Sequence, residues 1–233
     1  MKRTIAVLAF SSMLLTIPVE AGTIVSVLGN PEGPGSLDSS STGQIAEVSW
    51  SQATAMSNVS IQAALFGAFG PNDVEHVQAY LTNAIGPGTT AANVFAFNSV
   101  VVNNEPWGQF PPVWTTLFSG LNLSAGTYYL VLGSTDFTAW YFAVDTSSTG
   151  GQPITITTAP GVTYNGTLAV WNTACCGTID SAFLPASSGW RSDGDQNVFQ
   201  VTGDTVPEPG TFALLLTGLL AILPVTRRHF RKH

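Results

Sequence analysis

The sequence predicts an all-β fold for residues 22–205, an antiparallel β-sandwich that is jelly-roll-like, and three observations predict it. Apolar side chains recur at every second position in several short runs, the period of a strand with one buried face. Glycine, proline and asparagine punctuate these runs at short intervals. Nothing between them sustains a 3.6-residue apolar stripe, so about ten short strands and no long helix are expected.

Taken in order, Lys2 and Arg3 precede an apolar stretch over residues 5–17, and Val19, Glu20 and Ala21 present the small or medium side chains that a signal peptidase reads. Residues 1–21 are therefore expected to be a signal peptide cut after Ala21. The alternative, an uncleaved anchor, is opposed by the shortness of the run and its interruption at Ser11 and Ser12. Residues 30–43, rich in Pro, Gly and Ser, have too few apolar groups to offset their ordering entropy and are expected to form a mobile loop.

The strands follow. Ala46, Val48 and Trp50 alternate with polar residues, as do Val59, Ile61, Ala63 and Leu65, and then Val77, Ala79 and Leu81. Ile154 and Ile156 alternate with threonines, and Phe199 and Val201 flank Gln200, again giving half-buried strands. Residues 94–102 and 127–132 are apolar on both faces and are expected to be central strands. Turns are expected at Gly70-Pro71-Asn72-Asp73, Gly86-Pro87-Gly88, Ala125-Gly126, Gly150-Gly151 and Asn165-Gly166. The segment from Leu121 through Ala125-Gly126 to Tyr128, Tyr129 and Leu130 resembles one common in sandwich domains of bacterial surface proteins, which implies fold and not activity.

Charge narrows the partners. Of seven Lys and Arg only Arg191 lies within residues 22–205, and of fourteen Asp and Glu only Glu20 and Glu208 lie outside them. That stretch therefore carries twelve carboxylates against one arginine, a net −11. Such a domain repels nucleic acid and anionic lipid and favours divalent cations or neutral glycans. Its stability must come from apolar burial and backbone hydrogen bonds rather than ion pairs. At 184 residues it is large enough for one core, and neither an internal linker nor a repeat divides it.

The chemistry-bearing residues are few. His76 stands on the polar face of its strand without a nucleophile or orienting carboxylate that the sequence can place beside it, and reads as a surface histidine. Elbow, zinc-helix and phosphate-loop motifs are absent, so the domain is expected to be non-catalytic. A glycosidase-type carboxylate pair among the twelve acids is the alternative, since spacing in sequence does not reveal one.

Cys175 and Cys176 are adjacent, and in an oxidising compartment three readings stand: a strained vicinal disulfide forming a rigid turn, two inert thiols, or cross-links to another chain. The ring, flanked by Trp171 and Gly177, would suit the floor of a ligand site. Asp193, Asp195 and Asn197 sit at alternate positions like the start of a calcium loop, but the following glycine and the bidentate glutamate are missing, so a solvated Asp-Gly turn competes with calcium binding. Six tryptophans invite a carbohydrate reading. Trp50 belongs on an apolar strand face, whereas Trp107, Trp114 and Trp190 adjoin loop signals and are the candidates for stacking on sugars.

The tail carries the sharpest signal. Pro207, Glu208 and Pro209 form a stiff hinge that continues neither strand nor helix. An uncharged apolar run follows, and then Arg227, Arg228, His229, Arg231 and Lys232, which favour the cytoplasmic side. Residues 211–226 would span about 24 Å as a helix, short of a hydrocarbon core of about 30 Å, which suits a transient span with snorkelling arginines. Hinge, span and arginines in this order over residues 206–233 resemble the PEP-CTERM sorting signal of bacterial surface proteins. The resemblance implies a tail recognised and processed by exosortase, a membrane protease-transpeptidase, after signal peptidase has acted at the other end. It implies a domain tethered to the membrane by its C-terminal helix and then delivered to the cell surface or exopolysaccharide matrix. There it would be a structural or adhesive module, with a polysaccharide as the possible ligand. The rival is a secreted polysaccharide-active hydrolase or lyase.

Overall fold

The computed structural model describes residues 21–28, 37–39, 44–67, 75–86, 89–102, 114–134, 138–143, 154–171, 191–192 and 196–206. Fourteen strands run through them: β1 (Gly22–Leu28), β2 (Leu37–Ser39), β3 (Gln44–Gln52), β4 (Met56–Gly67), β5 (Glu75–Thr82), β6 (Val94–Val102), β7 (Trp114–Leu123), β8 (Gly126–Ser134), β9 (Thr138–Ala143), β10 (Thr155–Thr158), β11 (Val162–Trp171), β12 (Arg191–Ser192), β13 (Gln196–Asn197) and β14 (Phe199–Thr205). The helical content among these residues is one 3-10 turn, Ala91–Asn93.

The main strands form two five-stranded antiparallel sheets. In the first, β10, β1, β14 and β4 lie side by side and β7 pairs with β4; in the second the order is β11, β3, β8, β5, β6. Short strands extend them: β12 joins β11, and β9 joins β4 while also pairing with β2 and β13. The two sheets share one core. Val25, Val59, Ile61, Phe199 and Val201 of the first pack with Val48, Trp50, Val77, Leu81, Leu130 and Leu132 of the second, all of them without solvent exposure. The Trp50 ring stacks on Tyr128 at 5.8 Å and meets Phe199 across the sandwich at 6.3 Å. Its indole N–H donates to Gln52 Oε1 at 3.2 Å, and the Gln52 amide in turn donates to Ser124 O at 3.0 Å. A buried tryptophan thus keeps its polar edge satisfied.

Period-two alternation in β4 and β14 places their apolar residues inside as expected, with Ser60, Gln62, Gln200 and Thr202 partly exposed between them. Residues 127–132 fall in β8, which is central between β3 and β5. Four expectations are corrected. Residues 94–102 form β6, an edge strand, because β8 already occupies the other side of β5 and leaves β6 only the outer position. Asn165-Gly166 does not reverse the chain. It is a bulge inside β11, where the pairing with β3 shifts between Tyr164 and Gly166 and the glycine takes φ +108°. In β3 both faces are buried: on the polar side Glu47 is covered as fully as Val48 and Trp50, and Ser49 is buried beside it. Residues 155–158 form β10, an edge strand of the first sheet, and all four are exposed, Ile156 included.

Leu37–Ser39, within the stretch expected to be a loop, pairs with β9. Residues 1–20 of the expected signal peptide, the rest of residues 30–43, and the turns at 70–73 and 150–151 lie outside the described residues.

Candidate functional site

The junction between domain and tail is the best-defined functional feature. β14 is a central strand, hydrogen-bonded to β1 on one side and β4 on the other. Its last paired residue, Thr205, lies opposite Met56. One residue further, the Val206 N–H donates to Ala55 O at 3.1 Å. Thr205 and Val206 are already exposed there. Pro207, Glu208 and Pro209 therefore follow directly on the last hydrogen bond of β14 among the described residues, and a cut beyond them removes none of the described strands. The hinge itself, with Arg227 and Arg228, lies outside the described residues.

Near the start of β14 a polar relay crosses between the sheets. The Asn197 N–H of β13 donates to Thr167 Oγ1 at 3.4 Å, and the Tyr164 hydroxyl lies 3.0 Å from the same oxygen while donating to Gln196 Oε1 at 2.7 Å. Because the tyrosine proton goes to Gln196, the threonine hydroxyl donates to Tyr164. Burial pushes the Tyr164 phenol up to about 12, with the nearby Glu47 adding to the effect and the Thr167 contact opposing it. The bulge at Asn165-Gly166 puts Tyr164 and Thr167 on the same side of β11. Asn197 is fully buried, and neither atom of its side-chain amide has a hydrogen-bond partner. Of the proposed calcium trio, Asp193 and Asp195 lie outside the described residues. Among the described residues no group of three or more His, Cys, Asp and Glu is arranged to hold a metal ion.

The second sheet's outer face, turned away from the core, carries two features that sequence reasoning missed. Glu47 sits opposite Val131, fully buried, with neither carboxylate oxygen hydrogen-bonded. Burial pushes its carboxyl up to about 8, and Ser49, two residues along the same face, only partly offsets this. Toward the β6 edge, Tyr80 and Val131 form a small apolar cluster with Ile85, Val94 and Tyr129. The Phe97 ring lies on Tyr80 at 4.8 Å, and Phe97 and Val101 remain 53% and 54% exposed. A polar–apolar pattern in β3 had concealed the burial of Glu47, since period two reports which residues share a face and not what covers it.

His76 is exposed on this same outer face, opposite Val101. Trp114 opens β7 and packs partly buried against the main core, while Trp107 and Trp190 lie outside the described residues, as do Cys175 and Cys176. Of the three candidate tryptophans only Trp114 lies among the described residues.

In this two-layer antiparallel domain the central strand β14 ends at Thr205, two residues before the Pro-Glu-Pro triplet of the sequence. Comparison with known families identifies the tail: residues 205–232 match the PEP-CTERM protein-sorting motif, so the chain carries an exosortase-type sorting signal. The match covers the tail alone. A search of curated proteins finds no match to the chain.

Proposed function

We propose that the chain is an exported component of the bacterial cell surface or exopolysaccharide matrix, a non-catalytic structural or adhesive sandwich that can hold neutral glycans. The observation that carries this reading is the position of the sorting motif, which begins at Thr205 where β14 ends and so makes the sandwich the delivered cargo. In this scheme signal peptidase removes residues 1–21. The apolar tail holds the domain at the membrane until exosortase processes it, and the −11 charge keeps the released domain off anionic surfaces. Repeated crossing of the chain between sheets, from β3 to β4, β6 to β7 and β7 to β8, supports the jelly-roll-like winding within the same reading. Deleting residues 206–233 is expected to release the protein into the medium, and intact mass of the native form should show loss of both termini. Unchanged retention and processing of the truncated chain would sink the sorting claim.

Calcium at Asp193, Asp195 and Asn197 draws support from the unpartnered Asn197 Oδ1, since a buried carbonyl oxygen without a donor suits a cation. A rise in melting temperature with calcium over chelator, lost in Asp195→Asn, is the expected result. For the hydrolase or lyase reading the favouring observation is Glu47, a carboxyl kept protonated near neutral pH as a general acid must be. Its complete burial argues for a structural role instead. Polysaccharide cleavage abolished by Glu47→Gln would promote the enzyme.

A further inference from the structure

We propose that two copies of this chain pair edge to edge through β6, joining their second sheets into one continuous antiparallel sheet. Among the described residues β6 pairs only with β5, so its other side presents backbone donors and acceptors to an incoming strand. The remaining edges are blunted. β10 has four residues and β12 two, while β7 pairs with β4 through three register irregularities. β6 differs from all of them. It joins length to regular pairing: its nine residues, Val-Phe-Ala-Phe-Asn-Ser-Val-Val-Val, contain no charge and no proline, as in β7, but the one register shift lies near its start, opposite Leu81 and Thr82. Natural sheets protect such an edge with lysine, proline or brevity unless it is used.

The sequence of β6 favours a second copy as the occupant. An antiparallel two-fold centred on Asn98, within the regular part of the strand, sets Phe97 against the second copy's Ser99, and the contact occurs twice. Phe97 and Val101, at 53% and 54% exposure, flank the two-fold on the outer face, whereas Phe95 turns inward onto Tyr128 at 5.3 Å. Charge points the same way. A domain at −11 that meets its own copy needs a contact without carboxylates, and β6 supplies nine uncharged residues. The strand is also held in place beforehand, because the Asn98 side-chain amide donates to Leu117 O of β7 at 2.7 Å and Phe97 rests on Tyr80. This contact is independent of glycan binding and is measured without any glycan present.

The test is the association state of the native chain recovered from cells, followed by sedimentation from micromolar to millimolar concentration. Reversible dimers are expected, and Phe97→Lys should weaken them at least tenfold with an unchanged circular dichroism spectrum. In a background with Cys175 and Cys176 replaced by serine, Asn98→Cys should give a disulfide-linked dimer on oxidation, since self-opposed residues have Cα atoms about 4.5–5.5 Å apart. Thr157→Cys on β10 should not. Should Phe97→Lys fail to fold, the cysteine pair decides. A monomer throughout, an assembly indifferent to Phe97→Lys, or equal cross-linking at positions 98 and 157 overturns the proposal.

Discussion

β8 and β6 look alike as sequences and have opposite fates. Both are apolar on successive residues, yet Leu130, Val131 and Leu132 of β8 have no exposure at all, while Phe95, Phe97 and Val101 of β6 stay about half exposed. β8 gains cover from β3 and β5 in its own sheet and from the opposing sheet on its inner face. Among the described residues β6 pairs with β5 alone. An apolar run therefore states what a strand tolerates on its two faces, and long-range pairing decides how much of that is used.

The largest test of this difference is truncation inside each strand. Leu130→Ala removes a side chain that the core cannot replace and is expected to lower stability by roughly 2–5 kcal/mol. Val101→Ala should cost less than about 0.5 kcal/mol at low protein concentration. Urea unfolding of the two variants measures both, and similar losses would mean that β6 is covered as deeply as β8.

Glu47, beside β8 on the central strand β3, sharpens the same contrast through pH. Its carboxyl is neutral in the folded chain up to about 8 but ionises near 4.5 once unfolded. The unfolded state therefore gains on the folded one as pH rises between those values, by roughly 1.4 kcal/mol per unit, or about 4 kcal/mol from pH 5 to pH 8. The contribution of Glu47 is fully present at low pH and lost as pH passes its folded pKa. Glu47→Gln should remove this slope, becoming more stable than the parent at pH 8 and little changed at pH 4. Parallel urea midpoints for parent and variant across that range would show that the carboxyl is solvated after all.

What was legible in the sequence follows from the same physics. Alternation in β4 and β14 and the turn before β8 are local, set by side-chain period and glycine, and they read directly. The position of β6 at an edge, the bulge at Asn165-Gly166 and the cover over Glu47 depend on which strand pairs with which, and no short window of sequence contains that. Asn-Gly is as good a bulge as a turn, because both need a residue at positive φ. The sorting tail was fully legible because its recognition resides in a contiguous order of hinge, apolar run and arginines rather than in tertiary contacts.

Glycines separate interior from periphery at a smaller scale. A Cβ on Gly203 of β14 would stand 2.9 Å from Ile24 Cδ1, 3.0 Å from Val59 Cγ2 and 3.1 Å from Ser57 O. Gly203→Ala is expected to cost about 1–3 kcal/mol through overpacking. At Gly120 of β7, where φ is +69°, nothing lies within 4 Å of the same atom, so Gly120→Ala should cost only the left-handed backbone strain of about 1–2 kcal/mol. Thermal unfolding of both, read alongside a Gly203→Ser variant of similar bulk, distinguishes crowding from strain.

The smallest expected effect returns to the edge. Phe97 meets Tyr80 ring to ring at 4.8 Å and 32°, and half of its surface faces solvent. Phe97→Leu keeps apolar contact with Tyr80 and gives up the ring pair, so the dilute protein should lose no more than about 1 kcal/mol. Tyr128→Leu in β8 gives up ring contacts with both Trp50 and Phe95 as well as the hydroxyl that donates to Ser124 O at 2.9 Å, and should lose several times as much. If the two variants unfold at the same urea concentration, the aromatic surface of β6 is as firmly part of the core as that of β8. The edge would then have no apolar side chain to spare for a partner.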